Sequence, residues 1–254
     1  MSSDEIKREI KALAKFGLVV KKHSLALKEH QDYLPSITFG HSSYPGFEAH
    51  MFTIGNASMW TPRLTSESEV VLSLVQTRRN PQDAWYRLLA VTKELMESLK
   101  KYQQELKNGI VPSTHWASQE TKWYRENWGN RPHELTRVED FLYLVDGSIR
   151  PHIKELNELG FSTTQSCSGL AADHLDREPY LPYVMFDERM FPRSSAHLFT
   201  LADISGWIPS YGPHNFDVEL RLNSPEGAKE YWNTLVMNAR RLAELLTEYR
   251  SQFE

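Results

Sequence analysis

Residues 33–62, YLPSITFGHSSYPGFEAHMFTIGNASMWTP, align without a gap on residues 180–209, YLPYVMFDERMFPRSSAHLFTLADISGWIP, at an offset of 147. Twelve of the 30 positions are identical, where unrelated segments of average composition share about two. His50 meets His197, Trp60 meets Trp207, and Pro35, Pro45 and Pro62 meet Pro182, Pro192 and Pro209. Residues of these types are hard to obtain from a shared helical pattern alone, so the chain reads as an internal duplication.

The match continues on both sides. Ile6, Ile10, Lys11, Leu13 and Gly17 find Ile149, Ile153, Lys154, Leu156 and Gly160 at an offset of 143. Trp85, Leu88, Leu95, Glu97, Leu99 and Tyr102 find Trp232, Leu235, Leu242, Glu244, Leu246 and Tyr249, again at 147. Residues 1–108 form a first unit and 146–254 a second, with a connector at 109–145 carrying Trp116, Trp123 and Trp128. One compact globule is expected.

Each unit opens with a short helix, about 4–16 and 148–159, closed by Gly17 or Gly160 where positive φ is tolerated. Strands are expected near 18–22, 36–40, 47–54 and 69–76, with counterparts near 161–166, 182–187, 196–203 and 216–222. The run Phe216–Leu222 alternates strictly, as a half-buried strand does. Asn80-Pro81 and Ser224-Pro225 each put a capping residue before a first-turn proline. The long helices that follow repeat apolar residues at a 3-4 spacing, beginning with Trp85, Leu88 and Thr92 in one and Trp232, Leu235 and Ala239 in the other. The fold class is α+β: a duplicated unit of short helix, about four strands and long helix, with mixed or antiparallel sheet. The two apolar stripes are expected to meet across a pseudo-twofold axis.

Composition narrows the function classes. Of 254 residues, 40% are hydrophobic and 24% charged, with a net charge of −4, which excludes a disordered chain. No apolar run reaches the ~18 residues of a membrane span, and the charged Met1–Glu9 segment lacks a signal-peptide core. A soluble, cytoplasmic protein is expected, with no membrane partner. The single cysteine, Cys167, excludes an internal disulfide. Residues 151–254 carry nine basic against fifteen acidic groups, which argues against a long phosphate-binding track. A local basic contact through Lys21, Lys22, Arg78 and Arg79 remains open.

Duplicated units specialise where they diverge. After its second-unit strand the chain reads Thr163-Thr164-Gln165-Ser166-Cys167-Ser168-Gly169, then Asp173-His174; the first unit reads Val19-Val20-Lys21-Lys22-His23-Ser24-Leu25, then Glu29-His30. An offset of 144 sets Cys167 opposite His23 and His174 opposite His30. Three chemistries fit. The small polar loop can present backbone N–H groups to an anionic ligand. Cys167, His174 and His197 can make a Cys-His-His metal set, echoed by His23, His30 and His50. Cys167 can be a nucleophile with His174 as its base, though Asp173 stands where phosphatase chemistry needs an arginine. No close-spaced ligand pair anchors an ion, so no metal ligand is assigned. The bland alternative is a small buried cysteine and two hydrogen-bonded structural histidines.

The run from Ile149 through Ile153, Leu156, Leu159-Gly160 and Thr163-Thr164 to Ser166-Cys167-Ser168-Gly169, with the strand Tyr183–Phe186, resembles the wybutosine-synthesising protein three family over about 149–186. That resemblance implies an S-adenosylmethionine-dependent methyltransferase acting on a modified guanosine of a tRNA. It nominates Ser166, Cys167, Ser168 and Gly169 as site residues; the family's arginine after the glycine is Leu170 here. Catalytic residues are expected at Cys167, His174 and Asp173, and ligand-binding residues at Ser166, Ser168, Gly169 and Trp207. The rival expectation is a non-catalytic binding protein for a small anionic ligand or a metal ion.

Overall fold

A computed structural model describes residues 2–25, 35–40, 46–65, 69–74, 80–106, 141–175, 178–191, 193–211 and 217–253. Most of the connector, with Trp116, Trp123 and Trp128, lies outside these residues, as do His30, Arg78 and Arg79. The first unit runs α1 (Ser3–Ala12), β1 (Val20–Ser24), β2 (Ser36–Phe39), α2 (Phe47–Ser58), β3 (Thr61–Leu64), β4 (Val70–Ser73) and α3 (Pro81–Leu106). The second repeats it: α4 (Arg150–Glu158), β5 (Thr163–Cys167), β6 (Tyr183–Asp187), α5 (Ser194–Ser205), β7 (Ile208–Tyr211), β8 (Asp217–Arg221) and α6 (Ala228–Arg250). Among the described residues, no helix is long and apolar enough to cross a membrane.

Each unit carries one four-stranded antiparallel sheet, in the orders β1-β2-β4-β3 and β5-β6-β8-β7. β2 and β3 both run antiparallel to β4, so they are parallel to each other, and the α2 crossover joins them over the intervening strand. Both edge strands bulge at matching positions, between Val20 and Lys22 and between Thr163 and Gln165.

The pairing settles where the offset changes. Ser24 faces Ser36, and Cys167 faces Tyr183, which is the counterpart of Ser36. Cys167 is therefore equivalent to Ser24, and Ser166 to His23, so the expected pairing of Cys167 with His23 is one residue out. The offset stays at 143 through the edge strand. The second unit's four extra residues fall between Cys167 and Pro182, in the segment that carries Ser168, Gly169, Asp173 and His174.

A second correction concerns 47–54 and 196–203, which are helices rather than strands. Every residue of α2 except Glu48 is buried, and every residue of α5 except Ile204. A helix enclosed on all sides shows no amphipathic stripe, and a short apolar run then resembles a strand. The third strand of each unit lies just after its buried helix. Left-handed residues bound both helices: Gly46 and Met59 flank α2, Arg193 and Gly206 flank α5. In each pair of equivalent positions one copy is glycine and the other is not.

The buried helices also displace the expected seam. α2 and α5 pack on each other at the pseudo-twofold axis, each against its own sheet and against the long helices of both units. The stripes of α3 and α6 face this central pair instead of each other. Trp60 meets Trp85 edge-on at 4.8 Å, and Trp207 meets Trp232 at 5.0 Å. Charged edges tie the long helices together, through Arg87 with Glu248 and Arg241 with Glu94 at 2.7 Å. The Asn80 cap of α3 forms as expected, its Oδ1 accepting from the Gln82 N–H at 2.9 Å. α6 starts later than expected, because Ser224 caps a separate turn and Gly227 precedes the helix. One continuous cluster of buried residues runs through both units.

Polar contacts at the axis are reciprocal. His50 Nδ1 lies 3.0 Å from Thr200 Oγ1, and His197 Nδ1 lies 2.9 Å from Thr53 Oγ1. The outer nitrogens meet equivalent positions too: His50 Nε2 is 2.9 Å from Asp203 Oδ2, and His197 Nε2 is 3.2 Å from Asn56 Nδ2. Gly46 leaves room for the first pair, since a Cβ there would sit 2.8 Å from Asp203 Oδ2.

Candidate functional site

β5 is an edge strand, and its last residue, Cys167, opens the inserted loop. Gly169 turns the chain at φ 75°, where a Cβ would come within 2.4 Å of Pro182 Cγ and 2.8 Å of the Tyr180 carbonyl. Only glycine meets both demands. The turn continues through the 3-10 segment Ala171–Asp173 and returns His174 over Cys167, with Nε2 3.6 Å from Sγ. Tyr180 packs edge-on against the His174 ring at 4.7 Å.

The turn leading into α4 closes the other side. Asp146 Oδ2 accepts the Ser168 N–H at 2.7 Å. Asp173 accepts from the Ser148 hydroxyl and from the Ser148 N–H at 3.4 Å. Two carboxylates thus staple the loop to the start of the helix. Beyond Cys167, Arg221 lies over the Tyr183 ring at 5.4 Å and pairs with Glu219.

Burial pushes the Cys167 thiol up, and the Asp146 and Asp173 carboxylates add to this against a Gly169 N–H contact that lowers it. Burial also acts to raise Asp173, but hydrogen bonds from Ser148 and Ser168 outweigh it and hold the carboxyl below its ordinary value. The thiol thus lacks the lowered pKa that a nucleophile needs.

The structure gathers Ser166, Cys167, Ser168, Gly169, Asp173 and His174 into one site. It puts Trp207 elsewhere: the ring is buried in the core, and its Nε1 donates to the Tyr231 carbonyl at 3.3 Å, as Trp60 Nε1 does to Ala84 at 3.2 Å. His197 is equally remote, buried at the α2–α5 axis, so the expected Cys-His-His metal set does not assemble. Two of the loop's N–H groups are already engaged, that of Ser168 by Asp146 and that of Leu170 by Ser168 Oγ at 3.1 Å.

Asp146, Ser148, Tyr180, Tyr183 and Arg221 belong to the site without having been singled out. The signal for Asp146 is its Asp-Gly turn ahead of a helix, but its partner Ser168 lies 22 residues downstream. Hydrophobic exposure marks the same region. Of nine exposed large hydrophobic residues among those described, Tyr143, Leu144, Leu175, Tyr180 and Leu181 all flank site residues along the chain. Concentrated apolar exposure is a signature of recognition surfaces. No family model, no curated protein and no solved structure matches this chain.

Proposed function

We propose that the chain is a cytoplasmic, nucleoside- or tRNA-directed enzyme that transfers a methyl group from S-adenosylmethionine, with its cleft over the Ser166–Gly169 loop. The supporting observation is the Asp173 carboxylate, held by Ser148, beside exposed Leu175 and Tyr180 at the edge-strand loop. A sulfonium carries positive charge, which carboxylates and aromatic faces stabilise. Exposed Tyr180 offers an aromatic ring on which a base can stack. The acidic second unit suits one nucleoside better than a long run of phosphates.

S-adenosylmethionine, when bound, would supply the methyl group, its sulfur leaving as a neutral thioether and the acceptor's proton passing to water. Such a displacement depends chiefly on in-line approach. Cys167, His174 and Asp173 then shape and charge the floor of the cleft, and Gly169 keeps the loop close to Pro182.

Isothermal titration with S-adenosylmethionine tests this. Binding that weakens at least tenfold in Asp173→Asn supports the reading. Absence of heat with the folded wild-type protein ends it.

A further inference from the structure

We propose that Asp146, Cys167 and His174 are the three protein ligands of a divalent metal site, best suited to zinc, with its fourth position open. One ligand atom from each residue lies within 4.8 Å of the other two. Sγ and Nε2 are 3.6 Å apart. A tetrahedral ion with Zn–S of about 2.3 Å and Zn–N of about 2.0–2.1 Å needs an edge of roughly 3.5–3.6 Å between those atoms. The Asp146 oxygen, within 4.8 Å of both atoms, closes in by up to roughly 1.2–1.4 Å to complete the tetrahedron.

The donor set fits the ion. Sulfur, imidazole nitrogen and carboxylate oxygen together suit zinc and its borderline neighbours over magnesium or calcium, which prefer all-oxygen shells. One thiolate and one carboxylate balance the ion's two positive charges. The ligands are also held from behind, as metal ligands are. Ser168 N–H fixes Asp146 Oδ2, and Tyr180 braces the His174 ring. Asp173 stays outside the set, tied to Ser148.

The duplication gives an independent argument. The first unit has Ser3 where the second has Asp146, and Ser24 where it has Cys167. His174 stands in the segment that is four residues longer in the second unit. Asp146 and Cys167 are thus peculiar to one copy, and His174 stands where the copies differ in length, although the surrounding strands, bulge and register are common to both. Shared packing does not require them. Exposed Leu175 and Tyr180 border the site, so the open position faces solvent and a substrate can reach it, as in catalytic rather than structural zinc sites.

The assignment rests on ligand geometry and not on the methyl-transfer reading, and its test is separate. Chelator-treated full-length protein is titrated with cobalt(II) and followed by absorption. The expected result is one equivalent bound per chain, with a thiolate-to-cobalt charge-transfer band and the visible bands of a tetrahedral ion, all abolished by excess zinc. Cys167→Ser should remove the charge-transfer band. Asp146→Asn and His174→Ala should each weaken binding at least tenfold, while His152→Ala, on α4 away from the site, leaves it unchanged. A folded wild-type protein with no charge-transfer band overturns the proposal. So does cobalt affinity that is unchanged in both Asp146→Asn and His174→Ala. Neither result alters the titration with S-adenosylmethionine, so the two readings fail separately.

Discussion

Thr53 and Thr200 occupy equivalent positions in the two units, and their hydroxyl oxygens lie 3.0 Å apart at the centre of the molecule. Each also serves the other unit's histidine, Thr53 for His197 and Thr200 for His50. The contact is therefore its own image under the pseudo-twofold operation, as in an isologous dimer interface. A polar pair at this point fixes the register of α2 against α5, which apolar side chains alone would leave free to slide.

Removing one hydroxyl should cost more than its share. Thr53→Val leaves His197 Nδ1 without its partner in a buried site, a loss of about 1–3 kcal/mol. Thr200→Val does the same to His50. Because the two hydroxyls share one network, the double variant should lose clearly less than the sum of the singles. Urea unfolding of the three variants measures this, and simple additivity would show that the two hydroxyls act independently.

Symmetry breaks one position further out, where Asp203 faces His50 but Asn56 faces His197. Burial pushes the His197 imidazole down to about 3, with the Arg250 and Arg193 charges acting in the same direction. An unfolded histidine titrates near 6.5. Between those values the unfolded chain holds the extra proton, so stability rises with pH through the window and is lost as pH falls from about 6.5 towards 3. The span amounts to on the order of 5 kcal/mol. His197→Gln should flatten the unfolding free energy against pH in that window, and an unchanged slope would refute a neutral ring. Asn56→Asp, which copies the other unit's carboxylate, should raise the His197 pKa in a proton NMR titration.

Such details explain why some of the fold was legible in the sequence and some was not. The repeat, the short helices ending at Gly17 and Gly160, and the Trp85 and Trp232 stripes all follow from local spacing. The nature of α2 does not, because Phe47–Ser58 is enclosed on all sides and carries no period to read. Nor does the partnership of Cys167, since a sliding offset of 143 to 147 can be resolved only by the hydrogen-bonded register of β5 with β6. Ser166–His174 stood out because the copies differ there. Asp146 reaches the site only through tertiary folding.

Gly169 separates loop geometry from core stability. Gly169→Ala must place a methyl against Pro182 Cγ and the Tyr180 carbonyl at positive φ, a cost of at least about 1–2 kcal/mol. Gly206→Ala carries the backbone cost, at φ 74°. Differential scanning calorimetry should therefore rank Gly169→Ala as the less stable of the two. Its Cys167 should also react faster with a thiol reagent, because the displaced loop exposes the sulfur. A reaction rate equal to that of wild type would mean that the loop absorbs the methyl without opening.

Trp207 and Trp60 provide the last contrast, between a residue of the site and a residue of the core. Both rings are almost wholly buried, both donate to a backbone carbonyl at the start of their own long helix, and both meet its tryptophan edge-on. If burial is their whole role, Trp207→Ala and Trp60→Ala should each cost about 3–5 kcal/mol. The milder Trp207→Phe and Trp60→Phe should keep the fold and lose mainly the indole hydrogen bond, about 1 kcal/mol. Ligand or cobalt titration of Trp207→Phe should match wild type, because the ring's partners are Trp232 and Tyr231 rather than the 166–174 loop. A selective loss of binding in Trp207→Phe, with Trp60→Phe unaffected, would instead make the second tryptophan a support of the site and the resemblance between the two rings superficial.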